Sequence, residues 1–299
     1  MPSTERSIDN IRKYESEPKL TLTPVEETLL SMLYFRVLDA SSAEPILGDI
    51  YAQQVVNQVN TDFSRSLFPN DARWVKLWCT RAKQLDTWCR EFLALQPECT
   101  VLHLGCGMDS RVLRMAPGPG VRWFDVDRPA VIALRQRLIP TPSGDYHMIP
   151  ADVTDEEWLH EVPNDRPTMV VMEGLVMYLT LDKGKRMIQR LVDRFSPSSS
   201  AEGGGGDGGK GRMAFDIMGT LAARMLDWDQ VPVLRKTGVR WRWPTDDPTA
   251  FEAIDSRMRF LGEATWPEDW PPWFGELTTK LLSFLPSFKN IGRAVLYEF

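Results

Sequence analysis

An apolar run, VLHL, passes directly into Gly105-Cys106-Gly107, and twenty residues after Gly107 a second run, VRWFDVD, ends in Asp127. Short apolar runs that stop at glycine suit strands buried on both faces of a parallel sheet. Further candidates follow: YHMIPAD, then PTMVVMEGLVMYL with a strand ending near Glu173, then RMAFDIMG. Helical patterns separate them. Pro129 stands where N1 of the helix PAVIALRQRLI belongs, Thr154 and Glu157 have the spacing of a capping box, and Met187, Ile188, Leu191, Val192 and Phe195 fall on one helical face. This alternation predicts an α/β fold with a doubly wound, mostly parallel sheet.

Upstream, the pattern is helical. Thr23-Pro24 with Glu26 predicts a capped start for VEETLLSMLYFRVLDA, a second helix covers roughly 49–60, and a third runs from about 71 to 95. Residues 1–95 therefore read as a helical N-terminal region, its first twenty residues polar and frayed, and 96–299 as the sheet domain. Within the latter, 197–211 is a low-complexity glycine-rich loop and GRAVLYEF is expected as an edge strand. The balance of 35 basic against 41 acidic side chains has no basic block, which argues against a nucleic-acid partner. No apolar run reaches membrane-spanning length, and MPSTERSIDN has no apolar signal core, so a cytoplasmic protein is expected. Cys79, Cys89, Cys99 and Cys106 form no CxxC pair and read as buried thiols, not as a zinc site.

In open α/β sheets, ligands sit beyond the carboxyl ends of the strands. Four strands here end in Gly-x-Gly, Asp127, Asp152 and Glu173. The glycines let backbone approach a ligand, and Asp127 can accept from two ribose hydroxyls. Asp152 can accept from an adenine amino group while the Val153 amide donates to the ring. Glu173 is placed to receive an ammonium group or to shape the reacting site. A dinucleotide site wants G-x-G-x-x-G, but Ser110 occupies the third glycine position and Asp109 would repel phosphate. An adenosine cofactor without phosphate, S-adenosylmethionine, meets no such objection.

VLHLGCGMDSRVLRM, WFDVDRP, the Asp152 segment and MEGLVMYL together resemble the leucine carboxyl methyltransferase family. ETLLSMLYFRVLDASSAEPILGD is similar to the opening of its tetracenomycin-type polyketide O-methyltransferase branch, and TRAKQLD to the arginine-bearing helix before the first strand. The resemblance implies a class I, Rossmann-like methyltransferase with S-adenosylmethionine as donor. It implies that Arg81 pairs with the donor carboxylate, that Gly105 and Gly107 line the methionine portion, and that Asp127, Asp152, Val153 and Glu173 hold the remainder. Arg36 lies near a basic cofactor contact of the family, and Tyr178 falls in a motif that resembles the family's, where it either meets the acceptor or packs with its hydroxyl bonded at the edge of the core. His103 and Cys106 depart from the usual asparagine and small residue.

Plainer readings stand beside these. Asp125 rivals Asp127 for the ribose, Asp152 serves as a cap, and Glu173 pairs with a buried arginine. Arg81, on a helix with Lys76 and Lys83, is solvated by default, and His103 is a core histidine. Asp109 or Ser110 caps the next helix or touches ligand. Trp241, Trp243, Trp266, Trp270 and Trp273 form either an apolar core or an aromatic lid. The expected function is O-methylation of a hydroxyl or carboxyl on a small, polyketide-like molecule. The alternatives are methylation of a protein C-terminal carboxylate and a donor-binding scaffold without turnover.

Overall fold

A computed structural model describes residues 24–59, 72–197, 210–227, 240–265 and 290–299. The polar N-terminus, Thr23 of the first capping box, most of the glycine-rich loop, and Trp266, Trp270 and Trp273 lie outside the described residues.

Three helices come first: α1 (Pro24–Ala40), α2 (Ile50–Asn57) and α3 (Ala72–Leu95). Then β1 (Cys99–Leu104), α4 (Arg111–Met115), β2 (Val121–Asp127), α5 (Pro129–Leu138) and β3 (Asp145–Pro150) alternate. They are followed by β4 (Thr168–Met172), α6 (Leu181–Phe195), β5 (Arg212–Met218), α7 (Thr220–Asp227), β6 (Arg259–Thr265) and β7 (Gly292–Glu298). Short 3-10 turns lie at Glu157–Glu161 and Val176–Tyr178.

The strands form one sheet in the order β3-β2-β1-β4-β5-β7-β6. The first five pair in parallel, while β7 runs antiparallel between β5 and β6. GRAVLYEF is thus an interior strand, buried along nearly its whole length, and β6 takes the edge. The chain starts at β1, winds outward to β3, and returns to β4 on the other side of β1. The β1/β4 junction is therefore the switch point at which such sheets open a crevice.

Side-chain parity divides the core. Leu102, Leu104, Val170, Met172, Met213 and Phe215 face α6, whose Met187, Ile188, Leu191, Val192 and Phe195 pack on them. Val101, Trp123, Met169, Val171 and Ala214 face α3 and α4, where Leu85, Trp88, Phe92, Val112 and Met115 cover them. Both faces are dry, which is why these strands read as unbroken apolar runs. A third cluster joins Leu33 and Val37 of α1 to Val55 of α2 and Leu134 and Leu138 of α5.

The expected Thr154–Glu157 capping box is not formed. Thr154 instead donates its amide and hydroxyl to Asp152, at 2.9 and 2.8 Å, and Glu157 opens a 3-10 turn. A side chain bonded locally in this way competes with a regular helix start. All four cysteines are buried and free. Among the described residues, no helix is long and apolar enough to cross a membrane.

Candidate active site

The loop after β1 is held from two sides. Gly105 and Gly107 adopt φ of +63° and +50°, where a side chain would be strained. A Cβ on Gly105 would press on Leu175 at 3.2 Å, whereas one on Gly107 would meet nothing within 4 Å among the described residues. Gly107 N donates to Oδ2 of Asp127 at 2.8 Å, and the Arg128 amide donates to Oδ1 at 2.7 Å. Asp127 is half-buried at the end of β2. Behind the loop, Nη1 of Arg135 donates to the carbonyls of Gly107 and Asp109, at 2.8 Å each.

Asp125 is fully buried. It accepts from Arg135, from the Trp123 indole at 2.9 Å, from the Tyr146 hydroxyl at 2.6 Å and from His103 at 3.1 Å. Burial opposes its ionisation, but Arg135 and these hydrogen bonds outweigh it and hold the carboxyl well below the usual range. Every bond it makes is internal, so Asp125 is a structural anchor for the loop and leaves the rim to Asp127.

Arginines dominate the other half of the rim. Glu173, just past β4, accepts from Arg81 at 2.8 Å, Arg36 at 3.3 Å and Arg111 at 2.6 Å. Burial raises its pKa, yet Arg81, Arg36 and Arg111 together pull it down to about 2. Arg81 also donates to Asp216 of β5 at 3.2 Å, and its guanidinium lies 4.4 Å above the Trp78 ring. Asp216 accepts from the Gly174 amide at 2.6 Å, and burial raises its pKa despite Arg81.

Asp109 lies between Arg36 and Arg114, 2.5 and 2.6 Å away, and Ser110 donates to Asp49, the N-cap of α2. Neither side chain caps α4. Arg111 and Arg114 close the set on Asp86, each at 2.7 Å. Arg36, Arg81, Arg111 and Arg114 thus interlock with Asp49, Asp86, Asp109, Glu173 and Asp216 beneath the strand ends. Arg81 is buried at 8% exposure, against the solvated default for its helix.

Asp152 is exposed two residues beyond β3 and engaged by Thr154, whose amide lowers its pKa; the Val153 side chain is buried. Tyr178 is 39% exposed. Burial of its hydroxyl nevertheless raises its pKa, with Trp241 and Arg81 pulling the other way. Trp241 packs at the edge of the Phe35–Trp74 cluster, while Trp243 is core, 5.0 Å from the Phe251 ring. His103 is core, bonded on both sides. His147 is exposed, stacked on Phe124 at 4.8 Å.

The structure therefore brings Gly105, Gly107, Asp127, Arg36, Arg81 and Glu173 to one rim of the sheet. Sequence reasoning missed Asp49, Asp86, Arg111, Arg114, Arg135 and Asp216. The available signal was charge at positions that the helical and strand periodicities assign to the core, such as Asp86 beside Leu85 and Trp88.

The profile of the leucine carboxyl methyltransferase family matches residues 30–192. Tetracenomycin polyketide synthesis O-methyltransferase TcmP of Streptomyces glaucescens is 39% identical over 241 residues, which are 81% of this chain and 83% of that protein. The S-adenosyl-L-methionine-dependent methyltransferase dpfgK of Gibberella zeae is 37% identical over 298 residues, covering 94% of this chain and 97% of its own. Among solved structures, one described as a methyltransferase from Thermobifida fusca superposes with a TM-score of 0.52 at 18% identity, covering 88% of this chain and 93% of that one. A likeness at that identity carries the class I fold alone.

Proposed function

The chain belongs to the leucine carboxyl methyltransferase family, and from that premise we propose that it methylates an oxygen of a small, polyketide-like molecule, using S-adenosylmethionine. The observation that carries the donor site is the open, left-handed Gly107, its amide tied to the half-exposed Asp127. One further feature fits that donor. Among the described residues the Nε of Arg81 is buried without a hydrogen-bond partner, and a polar atom in that state favours a ligand that can satisfy it. Asp109 is neutralised by Arg36 and Arg114, so its charge no longer bears on the choice of cofactor, and the donor follows from the family.

When bound, the donor supplies a methyl group on a sulfonium that leaves as a neutral thioether. In this reading Asp127 accepts from the ribose, Asp152 and the Val153 amide read adenine, and the backbone at Gly105 and Gly107 lines the methionine portion. Arg81 faces the donor carboxylate with Arg36 behind it, and Glu173 fixes the direction of both guanidiniums. Tyr178 meets the acceptor. A phenol of ordinary pKa near 10 is protonated at neutral pH, so in this reading Tyr178 orients the acceptor and does not deprotonate it. In-line transfer then depends on placement and on keeping water out. A carboxylate acceptor arrives ionised, and a phenol of ordinary pKa near 10 gains from acidification. The name of the Streptomyces relative favours the polyketide acceptor over a peptide. The free, buried thiols are in keeping with a cytoplasmic protein.

Calorimetry with S-adenosylhomocysteine tests the donor site. Asp127→Ala is expected to weaken binding at least tenfold, a loss typical of charge-assisted hydrogen bonds; unchanged affinity removes Asp127 from the ribose, and tight NAD binding replaces the cofactor. Labelled donor incubated with phenolic polyketides and with carboxyl-terminal peptides tests the acceptor. Label on the peptides alone overturns the small-molecule reading, and donor binding without any turnover makes the protein a scaffold.

A further inference from the structure

We propose that His103 is a positioning residue that couples the nucleoside half of the donor site to its methionine half, a role that rests on the donor site assigned above. His103 stands in the middle of β1 at 1% exposure. Its Nε2 lies 3.0 Å from Nη1 of Arg111, and a guanidinium has only hydrogens to offer, so Nε2 accepts. The ring proton is therefore on Nδ1, which donates to Oδ1 of Asp125 at 3.1 Å. The imidazole is a two-sided connector between a cation and an anion.

The chain of bonds extends from both sides. Through Arg111 it reaches Glu173 at 2.6 Å, and Glu173 holds Arg81 and Arg36. Through Asp125 it reaches Arg135, whose Nη1 donates to the carbonyls of Gly107 and Asp109 in the loop that presents the Gly107 amide to Asp127. His103, Arg111, Asp125 and Arg135 are all at most 1% exposed. Water cannot replace a bond lost there, so breaking one costs the full desolvation of its groups. Glu173 is also tied to this loop through Arg36, which pairs with Asp109, so the His103 chain is the inner of two paths; along it, a displacement of Glu173 is passed to the Gly107 loop or leaves a buried charge without its partner. Both nitrogens are spent on charged groups, Arg111 on the Glu173 side of the site and Asp125 on the Asp127 side.

The test uses 5′-methylthioadenosine, which carries the nucleoside half and has no amino-acid half to meet Glu173. With the whole chain, calorimetry compares the affinity of this probe for the native protein, Glu173→Gln, His103→Asn and the double variant. Asparagine can keep the bond toward Asp125 but is too short to reach Arg111. Coupling between sites starts at about fivefold. Glu173→Gln is therefore expected to weaken methylthioadenosine about fivefold in the native background, and less than about twofold in the His103→Asn background. Equal losses in both backgrounds, or no loss in the native one, overturn the proposal. Should Glu173→Gln not fold, Glu173→Asp, which withdraws the carboxylate from the same arginines, is read identically. Asp127→Ala is run alongside. If it leaves methylthioadenosine binding unchanged, the donor site itself is misplaced; if it abolishes binding while the His103 cycle shows no coupling, only the connector fails.

Discussion

Asp125 and Asp127 lie two residues apart on β2 and share a face, so strand periodicity cannot choose between them. Depth chooses. Asp127 is the last residue of the strand and reaches the rim, while Asp125 is covered and meets Arg135. Removing one partner of a buried ion pair costs about 3–5 kcal/mol, and Asp125→Asn is expected to lower unfolding stability on that scale in urea titrations. A loss under about 1 kcal/mol would make the anchor dispensable. Gly107→Ala separates fold from site in the opposite sense. Its added methyl meets no atom of the described residues, so the cost is that of the left-handed backbone, about 1–2 kcal/mol. Affinity for S-adenosylhomocysteine should fall at least tenfold, because the methyl stands where backbone must approach the ligand. Normal binding by the Gly107→Ala variant would move the donor away from this loop. The positions of Gly105, Asp127 and Glu173 were legible because each stands at the end of its own strand, at or just after the last residue. The arginine network was not, because Asp86 and Arg111 are 25 residues apart and Arg111 and Glu173 are 62 apart, and only the packed fold brings them together. By default a charged residue on a helix reads as solvated, and here that default fails.

At the level of elements, β1 to β5 and helices α4, α5 and α6 were legible because burial on both faces writes itself as apolar runs ending in turns. The place of β7 was not. Whether a strand is an edge depends on strand order, which no single segment records, and the alternation in GRAVLYEF belongs to a strand paired on both sides, with β5 and β6. The α6 helix shows packing overriding propensity in the same way. Replacing an interior helical glycine with alanine ordinarily gains about 1 kcal/mol. At Gly184, however, a Cβ would stand 2.1 Å from Cζ3 of Trp243, a ring seated in the core against Phe251. Overpacking costs about 1–3 kcal/mol, so Gly184→Ala is expected to lower the urea midpoint despite the better helix former. A raised midpoint would show that Trp243 is not seated on α6.

Across the whole molecule, the ion network joins elements distant in sequence. Arg36 belongs to α1, Asp49 to the cap of α2, Arg81 and Asp86 to α3, Arg111 and Arg114 to α4, and Glu173 and Asp216 to the ends of β4 and β5. The helical N-terminal region is thus held to the sheet through the same groups that face the proposed donor. Its pH response follows from the direction of the shifts. Asp86, Asp109, Asp125 and Glu173 are all depressed in the folded state by their arginines, against burial. Unfolded, such groups titrate near 3.9 to 4.3. Their contribution is therefore complete above about pH 5 and is lost as pH falls through 4 toward the Glu173 value of about 2. Asp216, raised by burial, works in the opposite direction, and a single group of that sign cannot cancel four depressed ones. Urea midpoints measured from about pH 8 downward should stay level to about pH 5 and then drop steeply. Amide exchange in α1 should accelerate in the same interval, since Arg36 loses Asp109 and Glu173 together. Added salt should change little, because the pairs are buried and screening acts on exposed charge. A midpoint that stays level to about pH 3, or an α1 that loosens only with global unfolding, would mean that the helices are held by their apolar contacts with α5 and not by the charges beneath the strand ends.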